Sequence, residues 1–177
     1  MIITSAKNLL MCSVVSPTIP GCSSIVVLFV LQWANISKQY AWAYLTYNYC
    51  VLGKATDPSH LQVKYYEEAV KLDQYLAVAY FQQGVSNFFL ANFKEAKANF
   101  NDTLCCLHEN RFINYQQLGL NFCLFSCEVW FNRGICSIYE DQKKTGMHDL
   151  WYAANGSMTD DHDVIFEAIQ DKGQVCA

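Results

Sequence analysis

Apolar residues recur with helical spacing in two consecutive segments in the middle of the chain. The segments cover roughly Leu76–Leu90 and Lys94–Leu107, and Asn92 separates them. Apolar positions repeated at i, i+3, i+4 and i+7 lie on one face of a helix, and a polar residue between two such runs is typical of a helix boundary. The pattern therefore predicts two amphipathic helices joined by a tight turn.

The same spacing of small and large residues occurs twice along the chain. Gly84 is followed twelve residues later by Ala96 and sixteen residues later by Phe100, and the same two offsets separate Gly134 from a glycine and from Leu150. A small residue in the first helix of a hairpin lets the second helix approach closely, and the large residue fills the space between hairpins. The offsets predict two related helical hairpins.

A third set of positions fits a repeat of 34 residues. Trp42, Leu45 and Tyr49 have the spacing of the first helix of a tetratricopeptide unit, and Tyr66 precedes Phe100 by 34 residues. We therefore predict an all-α array of tetratricopeptide-repeat helical hairpins. An ordinary helical bundle, with the same aromatic residues as its core, is the alternative.

The repeat is interrupted once. Gly84 and Gly134 are 50 residues apart, which is one period plus sixteen, and the surplus falls within about 106–124. A last apolar-periodic segment at about 160–171 predicts a helix that caps the array. The predicted organisation is an atypical N-terminal extension, either disordered or folded (1–38), a repeat domain (39–172) with units at about 39–72, 76–107 and 116–155, and a tail (173–177).

Composition and charge exclude two classes of protein. The chain carries 12 basic and 16 acidic residues, a net charge of −4, so we expect no nucleic-acid partner. The apolar run at 24–34 is shorter than the ~20 residues that a membrane-spanning helix needs, so we expect no stable membrane insertion. A secreted or membrane-tethered protein led by residues 1–34 is the alternative.

Motifs for catalysis and metal binding are missing from the sequence. It contains no Gly-rich nucleotide loop, no nucleophile elbow and no His-Glu-x-x-His. Nine cysteines include no Cys-x-x-Cys pair, and no histidines stand at zinc spacing. We expect no enzyme, no cofactor and no metal, with free thiols in a reducing cytosol.

Three stretches carry a more specific resemblance: Lys71–Gly84, Asn110–Leu120 and Ser126–Asn132. The first contains the run Leu-Ala-Val-Ala-Tyr-Phe-Gln, and the second lies in the insertion between two repeats. Together they resemble the N-terminal tetratricopeptide domain of the cytosolic activators of NADPH oxidase, the p67-phox family with its fungal counterpart NoxR. The resemblance covers about residues 61–170, and the stretches at 146–150 and 161–164 look like the fungal branch.

This resemblance implies a non-catalytic adaptor that binds a Rac-type small GTPase in its GTP form. Such an adaptor helps to activate a superoxide-generating NADPH oxidase and is cytoplasmic until it is recruited to the membrane with its partners. The family uses the insertion and the turns between repeats for this contact, and not the concave groove. The corresponding positions in this sequence are Asp73, Tyr75, His108, Asn110, Phe112 and Asn114.

Some of these positions depart from the family pattern. An arginine is characteristic where this chain has His108, an aspartate where it has Asn114, and often a histidine where it has Tyr75, whereas Asp73 and Asn110 match. Loss of an arginine anchor typically costs ~2 kcal/mol of binding free energy, so we expect a weakened GTPase site. The alternative function is a generic tetratricopeptide module that binds an extended peptide in its concave groove.

Overall fold

The computed structural model describes residues 58–115 and 123–171. The extension at 1–38, the tail at 173–177 and the positions of Trp42, Leu45 and Tyr49 lie outside the described residues. The described helices are α1 (Pro58–Leu72), α2 (Ala77–Phe89), α3 (Phe93–Leu107), α4 (Ser126–Tyr139), α5 (Lys143–Asn155) and α6 (Asp163–Gln170). Two strands, β1 (Phe112–Asn114) and β2 (Cys123–Phe125), lie between α3 and α4, and a short 3-10 turn (Asp160–His162) precedes α6.

Two helical hairpins, α2/α3 and α4/α5, follow the same backbone path at an offset of 50 residues. In their turns, Ala91 and Asp141 each have a left-handed φ of 59°. Beside them, the N–H groups of Asn92 and Gln142 each donate to the carbonyl five residues earlier, at 2.9 and 2.8 Å. The 50-residue offset read from the glycines is therefore a true structural register.

Small residues bring the two helices of each hairpin together. A Cβ atom on Gly84 would lie 2.7 Å from the ring of Phe100, and one on Gly134 would lie 2.9 Å from the carbonyl oxygen of Gly146. A side chain at Gly84 would require the Phe100 ring to move, and one at Gly134 would require the backbone of the partner helix to move. The resulting core is continuous along the described part of the array, and Phe81 and Phe100 are fully buried in it.

The insertion contains a small antiparallel ribbon, which the sequence reasoning did not predict. Phe112 pairs with Phe125, Ile113 with Leu124 and Asn114 with Cys123. Strands of three residues are too short to establish an alternating pattern. Strand β1 lies within the predicted insertion (about 106–124), whereas β2 falls inside the predicted third helical unit (about 116–155). The first helix after the ribbon begins at Ser126.

The last described helix covers the end of the array. Ile165 and Ala168 are buried against α5, and the buried His162 holds the preceding turn in place. Its Nδ1 accepts the N–H of Met158 at 3.0 Å and lies 3.4 Å from Sγ of Cys127 on α4. Helix α6 therefore has the position of a capping helix.

Candidate docking surface

The turn between α1 and α2 presents an aromatic side chain. Oδ1 of Asp73 accepts the backbone N–H of Tyr75 at 3.0 Å, a local bond that closes the turn. The Tyr75 side chain is 68% exposed, the largest value among the exposed large apolar residues of the described chain. Asp73 therefore shapes the turn and Tyr75 projects from it.

The chain leaves α3 through two residues in the left-handed conformation. His108 has a φ of 48° and Glu109 a φ of 64°, and such values are uncommon for residues other than glycine. Nδ2 of Asn110 donates to the carbonyl of Leu107 at 2.7 Å, which satisfies one of the free acceptors at the helix end. This arrangement leaves His108 exposed at the start of the insertion.

The ribbon that follows has one exposed and one anchored end. Phe112 is 45% exposed and packs at 5.9 Å against Phe125, and Asn114 is also exposed. Tyr115 is buried, and its Oη accepts the N–H of Val78 at 3.1 Å. Burial raises the pKa of Tyr115 to about 12, so the hydroxyl stays neutral. Because that N–H belongs to the first turn of α2, the bond fixes the insertion relative to the α1–α2 turn.

An open cleft of about 270 Å³ lies between that turn and the end of α3. Tyr75 and His108, which are 33 positions apart in the sequence, both line it. Sγ of Cys106 on α3 lies 3.6 Å from the carbonyl of Gln74 in the turn. The remaining lining residues are Tyr80, Asp102 and Cys105.

Of the six positions expected from the resemblance, the cleft brings two together. Asp73 belongs to the same turn as Tyr75 but its carboxylate is used within the turn. Asn110, Phe112 and Asn114 are not among the lining residues and lie further along the insertion.

Sequence reasoning did not find the residues that line the cleft from α3. Asp102, Cys105 and Cys106 stand at i, i+3 and i+4, the spacing that places side chains on one face of a helix. The sequence shows that spacing, but no sequence pattern near α3 indicates that this face of the helix lies beside the α1–α2 turn.

The cleft has a negative electrostatic character. Burial, followed by the carboxylate of Asp102, raises the pKa of the Cys106 thiol. Burial also raises the pKa of the Tyr80 hydroxyl, with further contributions from Cys106, Asp102 and Asp73. The pKa of Asp102 is itself raised by partial burial. None of the lining residues is a lysine or an arginine.

The described residues form neither a metal site nor a membrane span. Within 58–115 and 123–171, no three His, Cys, Asp or Glu side chains are grouped closely enough to bind a metal ion. No helix in the described part of the chain is long and apolar enough to cross a membrane.

The chain is similar to curated activators of NADPH oxidase. It is 30% identical over 105 residues to neutrophil cytosol factor 2 of Mus musculus, which covers 59% of this chain and 20% of that protein. It is 40% identical over 83 residues to NADPH oxidase activator 1 of Rattus norvegicus, which covers 47% and 18%. No protein-family model matches the chain. These relatives confirm the resemblance that the sequence motifs predicted, and the chain spans about a fifth of the length of the relatives it matches.

A solved structure supports the fold independently. The tetratricopeptide-repeat protein MamA, solved as an RS-1 ArsTM double mutant, matches with a TM-score of 0.52 and 13% identity, covering 87% of this chain and 85% of that one. The predicted fold, an all-α tetratricopeptide array, is therefore confirmed.

Proposed function

We propose that this chain is a non-catalytic adaptor that binds a Rac-type small GTPase in its GTP form and so contributes to activating a superoxide-generating NADPH oxidase. The observation that carries the proposal is the meeting of the α1–α2 turn and the insertion at one cleft, where Tyr75 and His108 converge. The similarity to named oxidase activators supports the pathway. The oxidase itself would be contacted indirectly, through the assembled complex.

The residues of the surface divide into two roles. Asp73 and Asn110 form bonds within their own loops, and we propose that they hold the backbone in the shape that the partner recognises. Tyr75 and Phe112 offer exposed aromatic area, while His108 and Asn114 offer polar groups. Aromatic anchors surrounded by polar groups are the usual composition of a binding hot spot.

The affinity is expected to be lower than that of a surface with arginine at position 108. A histidine ring has two nitrogens for hydrogen bonding, whereas a guanidinium has five N–H donors in a planar fork and is always charged. A difference of ~2 kcal/mol corresponds to a factor of about 30 in Kd. We therefore propose a dissociation constant weakened by about that factor.

We propose that the chain is cytoplasmic and reaches the membrane only with its partners. A fluorescent C-terminal fusion should be diffuse in resting cells and should move to the membrane when the GTPase is activated. Retention in the secretory pathway would contradict this and favour the secreted alternative.

The direct test is a titration of the full chain with a Rac-type GTPase loaded either with a non-hydrolysable GTP analogue or with GDP. We expect binding to the GTP form alone. Phe112→Ala should weaken it by about tenfold, because the substitution removes an exposed aromatic anchor. Phe166→Ala is the matched control, since Phe166 is equally exposed, at 44%, but lies on α6.

Three outcomes would contradict the proposal. Equal affinity for the two nucleotide forms would show that binding does not depend on the nucleotide. Absence of binding to either form would show that the GTPase is not a partner. Binding that Phe112→Ala and Tyr75→Ala both leave unchanged would place the contact elsewhere and favour the concave groove.

A further inference from the structure

The cleft between the α1–α2 turn and α3 contains a carboxylate without a countercharge. Asp102 lines the cleft, and its side chain makes no hydrogen bond or ion pair with the described residues. A second carboxylate, that of Asp73, acts with Asp102 on the Tyr80 hydroxyl. No lysine or arginine is among the residues that line the cleft. Asp102 is exposed to solvent, and an exposed carboxylate that has no ion-pair partner can form one with a cation that reaches it.

Aromatic rings form part of the same wall. Tyr75 comes from the turn and Tyr80 from the first turn of α2, and both line the cleft together with Asp102. The face of an aromatic ring attracts a lysine ammonium or an arginine guanidinium, and the long apolar stems of these side chains pack against the ring edges. The cleft therefore combines a carboxylate with aromatic surface, the chemistry that recognises a basic side chain.

The size and shape of the cleft also fit such an occupant. A volume of about 270 Å³ that is open to solvent admits one extended side chain rather than a folded segment. Cys106 contacts the carbonyl of Gln74 at one side of the cleft. His108, at the start of the insertion, also lines it.

We infer that this cleft receives one lysine or arginine side chain of the GTP-loaded partner, with the Asp102 carboxylate as its counterion and the Tyr75 and Tyr80 rings beside it. This inference rests on the proposed function and specifies the chemistry of the partner at that site. It assigns binding roles to Asp102 and Tyr80, which lie outside the six positions that the resemblance indicates.

The test compares two variants that each remove one negative charge. Asp102→Asn keeps the shape of the side chain in the cleft, whereas Glu167→Gln makes the same change of charge on exposed α6. The full chain and both variants are titrated with the GTPase carrying a GTP analogue, at low and at high salt. Thermal unfolding of each variant confirms that the fold is retained.

We expect Asp102→Asn to weaken binding by about fivefold at low salt. The difference from the parent chain should shrink at high salt, because a partly exposed ion pair is screened. Glu167→Gln should bind as the parent does at both salt concentrations. Tyr80→Phe should retain binding, since the ring face is kept, and Tyr80→Ala should weaken it.

The failure of this inference can be distinguished from the failure of the proposed function. If Asp102→Asn binds as tightly as the parent while Phe112→Ala loses affinity, the docking surface stands and the basic side chain is excluded from the cleft. If Asp102→Asn and Glu167→Gln weaken binding equally, only net charge matters and the inference is wrong. If the parent chain binds neither nucleotide form, the proposed function fails and this inference fails with it.

Discussion

The hairpins α2/α3 and α4/α5 share one backbone frame but differ in the contacts that hold it and in the segment that follows it. In the first, Nδ2 of Asn87 donates to Oδ1 of Asn99 at 2.9 Å. In the second, Nε and Nη2 of Arg133 donate to the two carboxylate oxygens of Asp149 at 2.8 and 2.6 Å. The acceptors, Asn99 and Asp149, occupy equivalent positions in the two hairpins, whereas the donors and the chemistry of the link differ.

The segments after the two hairpins differ much more. Eighteen residues separate α3 from α4, whereas seven separate α5 from α6. Position 112 in the longer segment is a phenylalanine exposed to solvent, and position 162, at the same offset of 50, is a histidine buried against α4. The two hairpins therefore share a scaffold. The proposed recognition depends on the segment that follows the first hairpin, which has no counterpart after the second.

The largest effect should come from the charged link in the second hairpin. Asp149 is 2% exposed and forms a bidentate pair with Arg133. Asp149→Ala leaves the guanidinium without its carboxylate, and we expect a loss of about 3 kcal/mol in the free energy of unfolding. Asn99→Ala at the equivalent position should cost about 1 kcal/mol, because it removes a single neutral hydrogen bond. Denaturant titrations would contradict the comparison if the two losses were equal.

An exchange of the small residues at the helix crossing should have a smaller effect. A Cβ on Gly146 would lie 2.7 Å from the carbonyl oxygen of Gly134 and 2.6 Å from Cγ1 of Ile138. Overpacking costs ~1–3 kcal/mol and the helix propensity of alanine returns ~1 kcal/mol, so Gly146→Ala should destabilise by about 1 kcal/mol.

The reverse exchange in the first hairpin should also destabilise. Ala96 is fully buried at the equivalent position, and Ala96→Gly removes a packed methyl group and adds backbone freedom, at about 1–2 kcal/mol. Stabilisation by either substitution in a denaturant titration would contradict this comparison. It would mean that the separation of α4 and α5 does not differ from that of α2 and α3.

The smallest effect concerns the short segment after the second hairpin. Burial lowers the pKa of His162 below its usual value of 6.5, opposed by the nearby Asp161. The neutral ring is also the form whose Nδ1 accepts the N–H of Met158. Since the unfolded chain binds the proton more readily, the stabilisation by His162 is complete above about pH 6.5 and declines as the pH falls through the folded-state pKa.

His162→Asn tests this sign. An asparagine Oδ1 can accept the same N–H without titrating, so the pH dependence of the unfolding midpoint between neutral and mildly acidic pH should become flatter. A pH dependence that is unchanged in the variant would show that another group produces it. Phe112→Asn in the longer segment should leave the pH dependence of the unfolding midpoint unchanged, because Phe112 does not titrate.

The helices could be predicted from sequence because their determinants are local. Gly84, Ala96 and Phe100 are linked by fixed offsets, and the same offsets mark the second hairpin. The ribbon could not be predicted, because three residues per strand give no period and the pairing of Phe112 with Phe125 joins positions thirteen apart.

The candidate site was only partly accessible from sequence. Tyr75 and His108 entered through the family resemblance, and their convergence depends on how α1, α2 and α3 pack. Asp102 and Tyr80 carry no motif, and they become relevant only because the fold places them in the same cleft. A surface formed by residues far apart in the chain has no local pattern to detect.

Hydrogen exchange of the full chain with and without a GTP-loaded Rac-type GTPase is the most direct measurement of the central claim. The account predicts slowed exchange of backbone amides at 73–76 and 108–115, with helices α5 and α6 unchanged, and no slowing with the GDP form. Slowed exchange confined to α4–α6, or the same pattern with both nucleotides, would contradict it.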